Sequence, residues 1–245
     1  MNTNRIIAFA TAALLTLLFI SLDASAGQKS RSGSYQGRKT SGAWQQEVNR
    51  APGQADRSTT WQNDQGQGSR LSQKQWNQEA GTGSYSLTTT RTDGGTASRQ
   101  GSVTKTGQGS YTLDGTRTGP NGRVTDVDKS INKNPDGTTS VHSVYTGPQG
   151  NTKTVDSTTR KTEDGRNVTG TYSTNGGKSG SFESNVTRSE SGVVKDQSLT
   201  NQKGRTWKRG INRTRDDATV SRDVTVTNPQ DRTRSYSESV TVNKP

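Results

Sequence analysis

Beyond its first two dozen residues, the chain almost never strings apolar residues together. Single Val, Leu, Ile or aromatic residues stand among Ser, Thr and charged residues, and a Gly-, Pro- or Asp-bearing cluster interrupts them every 12 to 16 residues. Two of these clusters are near copies: Thr118-Gly119-Pro120-Asn121-Gly122 and Thr146-Gly147-Pro148-Gln149-Gly150 lie 28 residues apart. Gly94, Gly122 and Gly150 keep that interval, as do Gly109, Gly137 and Gly165. Hairpin turns demand positive φ, which glycine supplies, and proline suits the first central turn position. Two turns per period mean one hairpin per repeat. The intervening segments of about 9–11 residues suit long strands, and no segment sustains the 3.6-residue apolar spacing of a helix. The pattern predicts an all-β, repetitive antiparallel meander of about 14 or 15 strands, with an extended, rolled or spiral sheet and a small core.

The last hairpin carries the clearest register. A turn at Pro229-Gln230-Asp231 sets Val224 opposite Tyr236, Val220 opposite Val240 and Ala218 opposite Val242. It also sets Arg222 against Glu238, opposite charges face to face. These residues share one face, and the other face is hydroxylated almost throughout. A second ridge is expected where Leu87 faces Val103 about Gly95, and Val103 faces Leu113 about Gln108. Elsewhere alternation is ragged: Val193-Val194 breaks it, and His142 stands between Val141 and Ser143. Bulges or register shifts are the expected cause.

The N-terminal residues change the picture. Met1–Arg5 is a short polar start, Ile6–Leu22 is apolar but for Thr11, Thr16 and Ser21, and Ala24-Ser25-Ala26 supplies small residues for signal peptidase. Residues 1–26 therefore read as a cleaved secretory signal peptide, which leaves no transmembrane anchor. Residues 27–43 read as a flexible basic leader, and residues 44–245 as the β-hairpin repeat domain. The whole chain is 23% hydrophobic with a net charge of +12. Ordinary domains are roughly 45–50% apolar, counting glycine, so a large globular core is excluded. Cysteine is absent. An exported chain without disulfides points to a bacterial envelope: periplasm, cell surface or extracellular space. An outer-membrane barrel would need an apolar residue at nearly every second position of each strand, and most strands here offer one or two.

Chemistry is sparse. One histidine, His142, and no cysteine exclude metal sites built from those residues. The carboxylates are scattered or sit at turns, and the Gly-rich pieces lack the lysine and following helix of a phosphate loop. No enzyme, metal or cofactor is expected. One segment stands out: Lys203-Gly-Arg205-Thr-Trp207-Lys208-Arg209-Gly-Ile211-Asn-Arg213-Thr-Arg215 holds six basic residues and no acid. On a strand, Arg205, Trp207, Arg209, Ile211 and Arg213 share a face while Lys208 points the other way. Guanidinium groups beside an indole suit a polyanion, by bidentate contacts and stacking. The competing reading places Trp207 and Ile211 in the apolar ridge, with Arg stems packed alongside. Trp44, Trp61 and Trp76 suit glycan stacking or, as simpler structural parts, anchorage of the first hairpins. Two functional expectations follow. The first is an exported, non-enzymatic structural or adhesive β-repeat protein of the envelope, surface or matrix, assembling with itself through sheet edges. The second is a basic binding module for anionic polymers such as extracellular DNA or acidic polysaccharide.

Overall fold

A computed structural model describes residues 26–36, 41–216 and 219–243. Each strand runs from one predicted turn to the next. In chain order they are β1 (Gly27–Gln36), β2 (Ser41–Ala51), β3 (Gln54–Asn63), β4 (Gly66–Asn77), β5 (Thr82–Thr90), β6 (Thr96–Gly107), β7 (Ser110–Thr118) and β8 (Val124–Lys133). They continue as β9 (Thr139–Thr146), β10 (Thr152–Lys161), β11 (Gly165–Thr174), β12 (Ser179–Ser189), β13 (Gly192–Asn201), β14 (Thr206–Asp216), β15 (Thr219–Thr227) and β16 (Thr233–Asn243). Every strand pairs antiparallel with its neighbours in sequence, and β1 closes on β16, with Ser32 to Gln36 opposite Asn243 to Ser239. The meander is a closed 16-stranded barrel.

Closure is where the structure goes beyond the expected extended, rolled or spiral sheet. The extra strand comes from the segment expected to be a flexible leader. Gly27–Gln36 is β1, paired along its whole length with β2. Little apolar sequence announces it, because backbone pairing with β2 throughout and with β16 over Ser32–Gln36 holds it. Its glycine also matters: Gly33 stands opposite Trp44, and Gly42 of β2 opposite Tyr35, so each ring meets a partner without a side chain. The expected signal peptide lies outside the described residues, except that β1 begins immediately after its predicted cleavage point.

The repeated turns are hairpin punctuation. Gly119 N–H donates to the Arg123 carbonyl at 2.8 Å, and Gly122 N–H to the Gly119 carbonyl at 2.9 Å. The same pair of bonds recurs at Gly147, Asn151 and Gly150. This is a three-residue loop in which a type I turn is followed by a left-handed residue. Gly94, Gly122, Gly150, Gly177 and Gly204 fill that left-handed position in successive repeats, and Asp231, at φ 55°, fills it in the last.

The final hairpin has the expected register: Val220 faces Val240, Arg222 faces Glu238 and Val224 faces Tyr236. Ala218 lies outside the described residues. Val103 faces Leu113 as expected, but Leu87 faces Arg99 rather than Val103. The cause is local. The turn closes from Arg91 to Gly95, with Gly94 as the left-handed residue, so it is centred two residues earlier than Gly95. The raggedness elsewhere has a simpler origin than slippage. Val193 faces inward opposite Arg213, while Val194 faces outward and is exposed. His142 likewise points outward between inward Val141 and Ser143. A register irregularity does occur between Lys105 and Gly107.

Cross-strand partners share a face, so the ladder sorts every strand residue onto one side of the wall or the other. The buried apolar residues Val103, Leu113, Val127, Ile131, Val141, Val168, Val186, Leu199 and Val224 all fall on one side. That side surrounds a cavity of about 600 Å³ bounded by strands from β2 to β9, and is the lumen. The core is therefore a lining, spread thinly round the wall rather than gathered at a centre.

Candidate anion-binding site

The lumen is cationic to a degree that composition alone does not reveal. Of the Lys and Arg residues on paired strand positions, all but Arg160 and Lys208 face inward. Of the carboxylates on paired positions, all but Glu238 face outward. The wall separates charge. Outside, carboxylates sit in hydroxyl and amide networks: Ser237 Oγ donates to Asp223 at 2.6 Å, and Asn167 and Asn185 both donate to Glu183 Oε1. His142 Nδ1 lies 2.6 Å from Asp156 Oδ1 on the same outward face.

Inside, cations meet cations. Arg99 stands directly opposite Arg117, Lys161 opposite Arg166, and Arg213 opposite Arg222. Like charges in directly opposed positions destabilise a sheet. Lys129 is pushed down to about 8, chiefly by burial and then by Arg99. Lys153 is pushed down to about 8 by burial alone. Burial also lowers Arg99, with Arg117 adding to the effect, and lowers Lys195 with help from Arg166, Arg209 and Arg222. Aromatic rings share part of the load: the Lys129 ammonium lies 5.8 Å from the Tyr145 ring centroid, and that of Lys153 lies 5.0 Å from Tyr172. Arg222 has a carboxylate partner, Glu238, at 2.9 Å.

The aromatic residues have a consistent geometry. A Cβ at Gly83 would come 2.7 Å from the Trp76 ring, and Trp61 covers Gly68 in the same way. Each ring lies over its glycine partner on the next strand. Trp44 lies against Gly33 in the same manner.

The basic segment 203–215 is divided by the fold. Lys203 and Arg205 fall in the turn between β13 and β14. Trp207, Arg209, Arg213 and Arg215 face the lumen, with Trp207 opposite buried Leu199. Lys208 faces outward between Ser198 and Thr227. Near Arg209, both amide atoms of Gln197, which is 6% exposed, lack a hydrogen-bond partner among the described residues, as does Arg166 Nε.

Sequence reasoning found this strand but missed the larger assembly. Arg57, Arg70, Lys74, Arg99, Arg117 and Lys129 line the cavity although they are scattered over 73 residues of chain. A signal existed in their spacing from the turns. Counted outward from each turn, these cations fall at the same parity as the apolar residues, and the carboxylates at the opposite one. Among the described residues, no group of three or more His, Asp or Glu side chains is placed to hold a metal ion. Comparison with known protein families, curated proteins and solved structures yields no match for the chain.

Proposed function

We propose that the chain is an exported, non-enzymatic binding module for anionic polymers, such as extracellular DNA or acidic polysaccharide, at a bacterial cell surface or in its matrix. The observation that carries this reading is the segregation of strand charge: cations and aromatic rings inside, nearly all carboxylates outside. A random placement of charges has no reason to concentrate repulsion in the less hydrated space, where it costs most. An anionic chain in the lumen offsets that repulsion and releases counterions. The acid–base candidates His142, Asp156 and Glu183 line a separate depression on the outward face, apart from the cationic cavity. The structural or adhesive reading relied on assembly through sheet edges, and pairing of Ser32–Gln36 with Ser239–Asn243 leaves only the short stretches Gly27–Arg31 and Thr233–Glu238 as edges for a second copy. Among the described residues, neither side of the wall offers the continuous apolar band that lipid requires, which supports a site in water.

The test is a salt titration of single-stranded DNA and of a sulfated polysaccharide against the mature protein. Replacing Arg117, Arg209 and Arg213 with Ala, on both halves of the lumen, should flatten the slope of log affinity against log salt by ~2. Removing Arg160, Lys178 and Lys208, which stand outside or in a turn, should leave the slope nearly unchanged. Equal losses would mean diffuse attraction and end the lumen reading. Export has its own check: mass spectrometry of protein recovered from the producing cell should find Gly27 at the N-terminus, and an intact Met1 in mature material would refute it.

A further inference from the structure

The cavity between β2 and β9 is not uniformly charged. Two adjacent inward rows cross its wall and differ in chemistry. One runs through register partners Arg57, Ser72, Leu87, Arg99 and Arg117. The next runs through Lys74, Tyr85, Gly101, Gly115, Val127 and Tyr145. The first is a cationic rim. The second is a floor, and its two glycines show how it is made. A Cβ on Gly101 would lie 2.9 Å from the Tyr85 hydroxyl, and one on Gly115 would lie 2.7 Å from it. The Tyr85 side chain therefore reaches along the wall over both glycines rather than standing up into the lumen. Leu113 and Val127, both buried, continue this surface, and Tyr145 packs against the same cluster.

A space of about 600 Å³ falls in the range of small-molecule pockets, roughly 300–1,000 Å³. Its chemistry is specific in two respects. Arg99 and Arg117 are directly opposed and Arg57 shares their row, so one multiply charged group can bridge positions where repulsion is built in. Beside them lies a largely aromatic surface, bordered by Lys74 and by the Lys129 ammonium over Tyr145, that a bare polyphosphate or a hydrated sugar acid leaves uncovered. A ligand matching both parts is amphipathic.

We infer that this cavity binds an organic anion with a flat apolar body and two or more phosphate or sulfonate groups, the body along Tyr85 and Tyr145 and the charges between Arg57, Arg99 and Arg117. The inference rests on the lumen reading above and narrows it: a nucleotide unit of a longer anionic chain and a free aromatic polyanion share this chemistry.

The probe is pyrenetetrasulfonate, a flat fluorescent tetra-anion, with inorganic tripolyphosphate as the charged counterpart lacking an apolar body. Fluorescence anisotropy on the mature protein should show the sulfonate binding at least tenfold more tightly than tripolyphosphate at the same ionic strength. The Arg99→Gln/Arg117→Gln variant, which relieves repulsion and so favours folding, should lose at least tenfold in sulfonate affinity. Arg209→Gln/Arg213→Gln, with equal charge loss in the other half of the lumen, should lose less than threefold. Energy transfer to pyrene gives an independent position: Trp61→Phe should reduce sensitised emission more than Trp207→Phe. Tripolyphosphate binding as tightly as the sulfonate, equal losses in the two double variants, or transfer insensitive to Trp61 would each overturn the inference. Those outcomes leave the polymer reading standing if single-stranded DNA still binds with a lumen-dependent salt slope. Absence of DNA, polysaccharide and sulfonate binding alike removes both.

Discussion

The two halves of the lumen use the same ingredients to different ends. Around β3 to β8, Arg57, Arg99 and Arg117 share one row without a carboxylate, and an open cavity lies over an aromatic floor. Around β13 to β16, Arg222 is matched by Glu238 directly across the hairpin, and Val224, two residues on, is 0% exposed. Matched charge lets neighbouring side chains close over an apolar residue, because the pair can be partly desolvated without a lone ion left behind. Unmatched cations hold each other apart and keep water or an anion among them. The matched half serves more as scaffold and the other adds the open cavity, although both offer lumenal cations and each holds a fully buried valine, Val224 and Val103.

That contrast can be broken from the scaffold side first. Val224→Ala should cost about 2–3 kcal/mol in urea unfolding, the transfer of two methyl groups plus the void they leave. Leu87→Ala, at the half-buried cavity wall, should cost only about 1 kcal/mol, since less apolar surface returns to water. Equal costs would show the cavity side to be as tightly packed as the other. Next comes Glu238→Gln, which leaves Arg222 facing Arg213 with no counter-charge. The pair is about one-third exposed, so the expected loss is about 1–2 kcal/mol. This variant should also gain affinity for single-stranded DNA as the lumen loses an inward carboxylate. Unchanged binding would separate charge matching from function.

A smaller effect comes from pH. Lys129 is faced by Leu113 and Ser143 across the ladder, by the Tyr145 ring and by Arg99 from two strands away. Its folded pKa of about 8 lies below the ordinary lysine value. Between pH 8 and 10 the unfolded chain therefore holds more protons than the folded one, and stability rises with pH. Lys153, also near 8, adds to the trend. The thermal midpoint of the ligand-free protein should climb about 2–4 °C across that window. Bound polyanion should reverse the trend, since it favours the protonated lysine; a midpoint that falls with pH in the free protein would contradict the buried-cation account. The smallest expected change is Asp231→Gly. A non-glycine residue in the left-handed region costs ~1–2 kcal/mol, partly offset by the ~0.5–1 kcal/mol of chain freedom that glycine loses on folding. A net gain of about 0.5 kcal/mol is expected, read from the urea midpoint.

Much of the architecture was legible in the chain itself. Glycine at fixed intervals specifies where φ must turn positive, and alternation between turns specifies strands, because both depend on nearest neighbours. The Val220–Val240, Arg222–Glu238 and Val224–Tyr236 pairs could be read off for the same reason: a tight hairpin leaves one register. The Leu87 pairing differs from expectation because the left-handed glycine, Gly94, is the last residue of its three-residue loop and not the centre, which is Asp93. Of the candidate site, the alternation of Trp207, Arg209 and Arg213 was local and visible, while the cavity was not.

What the sequence determined is a two-faced ribbon of hairpins, with most cations and apolar residues at one parity and most carboxylates and hydroxyls at the other. What only the tertiary structure decided is which face becomes the inside and where the ribbon ends. Pairing of β1 with β16 joins residues at opposite ends of the chain through backbone hydrogen bonds that carry no side-chain signature. Arg57, Arg99 and Tyr145 become neighbours across a cavity only when curvature brings successive strands round a common axis. Local propensity sets the turn and the strand. Curvature is a property of the whole ladder, and the site exists only once the ladder has closed.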